Sequence, residues 1–206
     1  MSNLLTRNPR GQFTKLLFKR TDKVFEKFSV DVIRQAKKNL KNNKHRKRYK
    51  KVDASGQLSR SLRADTLQKN KDFVLRFWST KYGEFIEEGV KGSGKTVRGA
   101  KAKSNKAPRS PYKFKSKMPP RGVLDRWGIK KGIKGTRSKD GKFIPRKSMM
   151  YLIQRSIFQR GIEPTYFYRD AFDKYFKTNF VTKVETAYAE DIEELLAEEL
   201  EEQLKK

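Results

Sequence analysis

The sequence predicts an α+β fold: a small antiparallel sheet packed by an N-terminal helix and a long C-terminal helix, with long basic loops. Three observations predict it. Apolar residues recur at helical spacing over 20–42 and again over 166–204, and between these segments they alternate along 73–79 in a β-rich composition. Residues 91–147 then hold 20 Lys/Arg against two acidic residues, with Gly, Pro and Ser at the frequencies of loops. The chain has 206 residues and 35% apolar content, below the usual 45–50% or so of globular domains. That length suits one domain over 1–206 with a modest core and long solvated or partner-bound segments.

Each element has its own signal. Residues 1–19 read as an N-terminal arm, because Asn8-Pro9 and Gly11 interrupt any periodicity. In the first helix Val24, Phe25, Phe28, Val32, Ile33, Ala36 and Leu40 share one face, with Thr21 or Asp22 placed to cap its start. The run KHRKRYKK at 44–51 is too charged to pack. Leu58, Ser61 and Leu62 begin a helical turn or an irregular strand. Segments 60–68 and 73–79 pair as a hairpin around Lys69-Asn70-Lys71-Asp72, and YGEFIEEG at 82–89 forms a helical turn that stops at Gly89. Within the basic insertion, 91–147, the island VLDRWGI at 123–129 forms a small helix ended by Gly128. Residues 148–160 form a helix with Met149, Leu152, Ile153, Ser156 and Ile157 on one face, stopped by Gly161.

From Phe172 to Leu204 an apolar residue falls at every fourth position. Four residues advance about 400°, so such a row drifts roughly 40° per step and cannot stay on one core face of a straight helix. The first half is expected to pack on its own domain. The extension, 189–206, carries Ile192, Leu195, Leu196 and Leu200, and eight of the thirteen residues 190–202 are acidic. We read Ile192, Leu196 and Leu200 with Glu194 and Glu198 as an assembly interface whose carboxylates face a neighbour's Lys and Arg. A solvated amphipathic helix is the alternative. On the first reading, truncation after Tyr188 leaves the domain folded and blocks assembly.

Charge points to partners. The net charge is +28, all of it from the first 150 residues, since the remainder carries more acidic than basic groups. Such an imbalance selects polyanions, either nucleic acid or acidic protein surfaces. The candidate contacts are Lys44, Arg46, Lys47, Arg48, Lys50 and Lys51 in the first basic run, and Lys101, Lys103, Lys106 and Arg109 in the second. Cys is absent and His45 is the sole histidine, which removes thiolate and His-based metal or catalytic clusters; no carboxylate pair or triad stands out. No metal, cofactor or enzymatic role is expected. The first twenty residues argue against a secretory signal, and the longest apolar run, MMYLI at 149–153, is too short for a bilayer, so no membrane partner is expected.

GVKGSGKT at 89–96 satisfies the phosphate-loop pattern with Gly89, Gly94, Lys95 and Thr96. Its context argues against a nucleotide site. FIEE precedes it, placing carboxylates beside the supposed phosphates, and VRGAKAKSNKAPRSPYK follows where a helix would have to begin. A basic loop is the expectation.

Three stretches carry a resemblance: SGQLSRSL (55–62), YGEFIEEG (82–89) and GIEPTYFYRDAF (161–172). Their order and spacing resemble the tail-completion, or neck, proteins of tailed bacteriophages, which join head to tail. The matching residues are Gly56, Leu58, Ser61 and Leu62; Tyr82, Phe85, Ile86, Glu87 and Gly89; and Pro164, Phe167 and Ala171. The resemblance implies a structural virion protein, made in the host cytoplasm. It would form a homo-oligomeric ring of six copies or a multiple, contact head connector and tail tube proteins, and surround DNA without sequence preference. The competing expectation is a basic nucleic-acid-binding protein of ribosomal or nucleoid type.

Overall fold

A computed structural model describes residues 5–7, 13–15, 18–45, 52–53, 55–69, 72–96, 99 and 105–205. In chain order these form β1 (Leu5–Arg7), β2 (Phe13–Lys15), α1 (Lys19–Lys41), α2 (Gln57–Ser61), β3 (Arg63–Lys69), β4 (Asp72–Trp78), α3 (Tyr82–Glu88) and β5 (Val90–Lys91). They continue with α4 (Arg121–Lys130), β6 (Thr136–Arg137), β7 (Phe143–Ile144), α5 (Arg146–Arg160), β8 (Gly161–Ile162), α6 (Phe167–Phe176) and α7 (Phe180–Leu204). The fold is α+β, as expected. The β component is divided among two-stranded antiparallel pairs, β1–β2, β3–β4, β5–β8 and β6–β7, rather than gathered into one sheet. Part of the expected arm therefore pairs as β1–β2, with Leu5 opposite Lys15.

The chain divides into two compact units. The first contains residues up to Ala36, Leu62–Trp78 and Asp170 onward. Its core is aromatic. Along β4 Phe73, Leu75 and Phe77 are half-buried while Val74, Arg76 and Trp78 are exposed, as period two requires. Phe73 stacks on Phe25 of α1 at 5.2 Å and meets the edge of Phe18 at 5.9 Å. Phe28 packs on Phe180 at 4.0 Å and edge-on to Phe172 at 5.5 Å, and Phe18 stacks on Tyr188 at 5.0 Å. Each such pair adds about 0.5–1.5 kcal/mol beyond the area it buries. The hairpin and the C-terminal helices therefore both pack on the aromatic face of α1 and on Phe18, which precedes it.

Two expectations for this unit change. The single C-terminal helix is broken: α6 ends at Phe176, and Asn179 adopts a left-handed φ of 55° before α7. Asn tolerates this conformation better than most residues. Phe176 meets Phe172 within α6, at 5.3 Å, and Phe180 across the break, at 5.8 Å.

The second change concerns the start of α1, which neither Thr21 nor Asp22 caps. Thr21 lies within the first turn, buried, and its hydroxyl has no hydrogen-bond partner. The cap comes from α7. The carboxylate of Asp191, only 2% exposed, accepts the amides of Arg20 at 3.0 Å and Thr21 at 2.8 Å. A carboxylate on the free amides of a helix start satisfies both their hydrogen-bonding need and the positive end of the dipole.

The second unit holds Lys37–Ser61 and Ser79–Arg169. Leu40, Leu58, Met150, Phe158 and Phe167 are buried within it. The short ladder β5–β8 pairs Val90 with Ile162 and Lys91 with Gly161. Gly128 does not end α4. It lies inside the helix, where an added Cβ would stand 2.5 Å from the Met150 sulfur, so its missing side chain leaves room for Met150 of α5. The buried face of α5 is also rotated from the expected one, with Met150, Phe158 and Gln159 inward and Leu152 outward. Gly161 stops α5 as expected, at φ 86°, with its amide bonded to the Ile157 carbonyl.

Replacing Asp191 with Ala should cost about 1–3 kcal/mol, read as a fall in the urea midpoint. The earlier expectation for truncation also changes. A chain ending at Tyr188 loses the cap and should be destabilised at least as much, whereas one ending at Leu195 should match the full chain. Equal stability for all of these would remove the cap from the account.

Candidate assembly interface

The acidic helix changes character after Glu194: Asp191 and Glu194 are held against the start of α1, and from Leu196 onward the described side chains are exposed. Around the Asp191 cap, the Arg20 guanidinium reaches the Glu194 carboxylate at 2.6 Å, the Glu190 carbonyl at 3.2 Å and the Glu190 carboxylate at 3.4 Å. Lys19 lies 3.9 Å from Glu194. Glu194, read from sequence as facing a neighbour, therefore pairs with Lys19 and Arg20 of its own chain. These half-exposed ion pairs add little energy, and the buried cap carries most of the anchoring. Ile192 is half-buried on the same turn. Beyond it Leu196, Leu200 and Leu204 are 56%, 60% and 87% exposed, and Glu198 is exposed too. Of the five residues read as an interface, Leu196, Leu200 and Glu198 thus lie on the outward part of α7.

The basic candidates divide differently. Lys44 and Arg109 are exposed. Lys106 is half-buried, 3.3 Å from the Glu163 carboxylate, with its amide on the Arg160 carbonyl. Arg46, Lys47, Arg48, Lys50, Lys51, Lys101 and Lys103 lie outside the described residues. The basic stretch is also more structured than a loop. From Arg121 onward it carries α4, the β6–β7 pair and the start of α5. Arg146 grips Asp125 through two hydrogen bonds of 2.8 and 3.3 Å, and Gln154 donates to the Pro119 carbonyl at 2.6 Å. Sequence reading missed this because the stabilising contacts run between helices and leave no local period. Between the starts of α4 and α5 lies a cleft of about 310 Å³ lined by Arg121, Lys147, Ser148, Tyr151 and Leu152.

The phosphate-loop pattern meets a geometric obstacle. The Gly92 amide bonds the Asn105 side chain at 3.4 Å, Ser93 the Phe158 carbonyl at 2.8 Å, Gly94 the Gln159 carbonyl at 3.2 Å and Lys95 the Ser93 hydroxyl at 3.3 Å. A phosphate cradle needs such amides free and convergent. Here each is already engaged with its own chain. Among the described residues, the next helix after Lys95 is α4, at Arg121.

The second of the three resembling stretches meets each of the other two, through residues of the second unit. Leu58 of the first is fully buried, and a Cβ on Gly83 of the second would stand 3.2 Å from its methyl. Glu87 of the second accepts the amides of Tyr168 at 3.0 Å and Arg169 at 2.9 Å in the third, so it caps α6. The Thr165 amide and hydroxyl both donate to the Ile86 carbonyl, at 3.1 and 2.8 Å. Gly89 has φ 70°, and a Cβ there would come within 2.5 Å of the Ile162 carbonyl and 2.7 Å of the Pro164 nitrogen. Only Gly fits both that conformation and that approach.

Burial raises the Glu87 carboxyl above its ordinary value, and the Arg169 and Tyr168 amides oppose this without reversing it. A raised native value means the folded state holds the proton more tightly than the unfolded chain. The associated stability is present below the unfolded value and is lost as pH rises through the native one. Relative to Glu87→Gln, the parent chain should therefore lose urea stability as pH is raised from about 4 to neutrality. A gain over that range would mean the amide donors outweigh burial.

Among the described residues no cluster of metal-ligating side chains occurs and no helix is long and apolar enough to cross a membrane. Comparisons of the chain with protein-family models, with characterised proteins and with solved structures give no match.

Proposed function

We propose that this chain is a structural virion protein of a tailed-bacteriophage neck. It assembles as a homo-oligomeric ring, six copies or a multiple, which joins head connector to tail tube and surrounds the DNA path. The observation that carries this reading is the mutual dependence of the three resembling stretches. Leu58 packs beside Gly83, Glu87 caps α6, and Gly89 fits only against Ile162 and Pro164. Each of the three stretches thus supplies a matched residue to these contacts: Leu58 from the first, Glu87 and Gly89 from the second, and Pro164 from the third.

Two further features support a ring. Subunits of +28 repel one another, so closure needs complementary patches. The outward leucines of α7, set among carboxylates, supply one such patch. A basic nucleic-acid-binding protein is the second reading, favoured by the exposed cations Lys130, Lys134, Arg137, Lys139 and Lys142 on and around the β6–β7 pair. Non-specific phosphate neutralisation fits both readings.

Assembly separates them. Nuclease-treated protein, examined by mass photometry and negative-stain microscopy, should form rings of one copy number without DNA. A monomer that assembles only on added duplex, in a salt-sensitive way, would replace the neck reading with the second.

A further inference from the structure

We infer that the outward end of α7 docks in the cleft between α4 and α5 of a second copy of this chain. The inference rests on the ring reading and names the two surfaces that would close the ring. The ligand side is a helix whose last turns carry Leu196, Leu200 and Leu204, one stripe over about 12 Å, each more than half exposed. At about 100° per residue, Glu199 and Glu201 flank Leu200 on either side of that stripe. Glu199 and Glu201 are both exposed, and Glu201 meets Lys205 only in an exposed pair at 3.6 Å.

The receptor side has the complementary make-up. Leu152 is 40% exposed, the one exposed residue of α5 after Ser148, and it lines the cleft beside the Tyr151 ring. The cleft's cations are Arg121, at the start of α4, and Lys147, in the first turn of α5. The Arg121 guanidinium lies 5.8 Å from the centre of the Tyr151 ring, which holds a cation at the apolar rim. An amphipathic helix lays its apolar stripe into such a groove while flanking charges set the register. Leucines of α7 meet Leu152 and Tyr151; Glu199 and Glu201 meet Lys147 and Arg121. Because the two surfaces differ, the contact is head-to-tail, and repetition closes it into a ring when the rotation per subunit allows.

The chain contains no cysteine, so introduced thiols report cleanly. Leu152→Cys and Leu200→Cys are made as separate proteins, mixed, assembled and oxidised. The mixture should give cross-linked dimers, and neither protein alone should. Lys147→Glu should raise the concentration for half-assembly about tenfold or more, and adding Glu199→Lys to it should recover most of the loss. Rings that give no cross-link overturn the docking and leave the ring reading intact. So does a Leu152→Cys thiol that duplex DNA shields and assembly does not. A cross-link formed within single chains that carry both Leu152→Cys and Leu200→Cys, with none in the mixture of the two single variants, overturns the second copy as occupant. A chain that stays monomeric throughout overturns both the ring and the docking.

Discussion

One carboxylate fixes how the C-terminal helix is used. Asp191 accepts the first amides of α1 from some 170 residues away along the sequence, at a position closed to solvent. A helix start left bare would carry unsatisfied amides into a buried setting, which costs more than an ordinary hydrogen bond returns. The cap therefore holds α7 against its own chain as far as Glu194. It also divides the acidic helix: the carboxylates near the cap neutralise Lys19 and Arg20, while those beyond it project with the leucines.

A second carboxylate repeats the device in the other unit. Glu87 sits at the end of α3 and caps α6. Both long-range caps come from acidic residues on a strongly basic chain, where a carboxylate is scarce and its placement consequential. The aromatic contacts between α1, β4 and α7 supply area, and the caps supply direction, because a hydrogen bond is satisfied at one geometry and an apolar contact at many.

The sequence made the periodic elements legible. Phe28 and Val32 on α1 and the alternation Phe73, Leu75, Phe77 follow the backbone period, and Gly89 and Gly161 carry the positive φ that ends their helices. What escaped it was set by distance. Thr21 and Asp22 satisfied every local rule for a cap and lost to Asp191, which no local rule can find. Gly128 looked like a stop and is a helix contact, because its partner, Met150, is twenty-two residues on. The basic stretch read as loop because its order comes from pairings such as Arg146 with Asp125. In the candidate interface the apolar stripe of Leu196 and Leu200 was legible from hydropathy and spacing. The inward turn of Glu194 was not, since spacing alone cannot say whose cation a carboxylate meets.

The central claim is that α7 changes allegiance near residue 195, from its own chain to a neighbour. Hydrogen exchange along α7, compared between the isolated chain and the assembled protein, tests this most directly. The account predicts that amides of 187–194 are protected in both states and that those of 196–204 gain protection only on assembly. Protection of 196–204 unchanged by assembly, or loss of protection around Asp191 in the isolated chain, would contradict it.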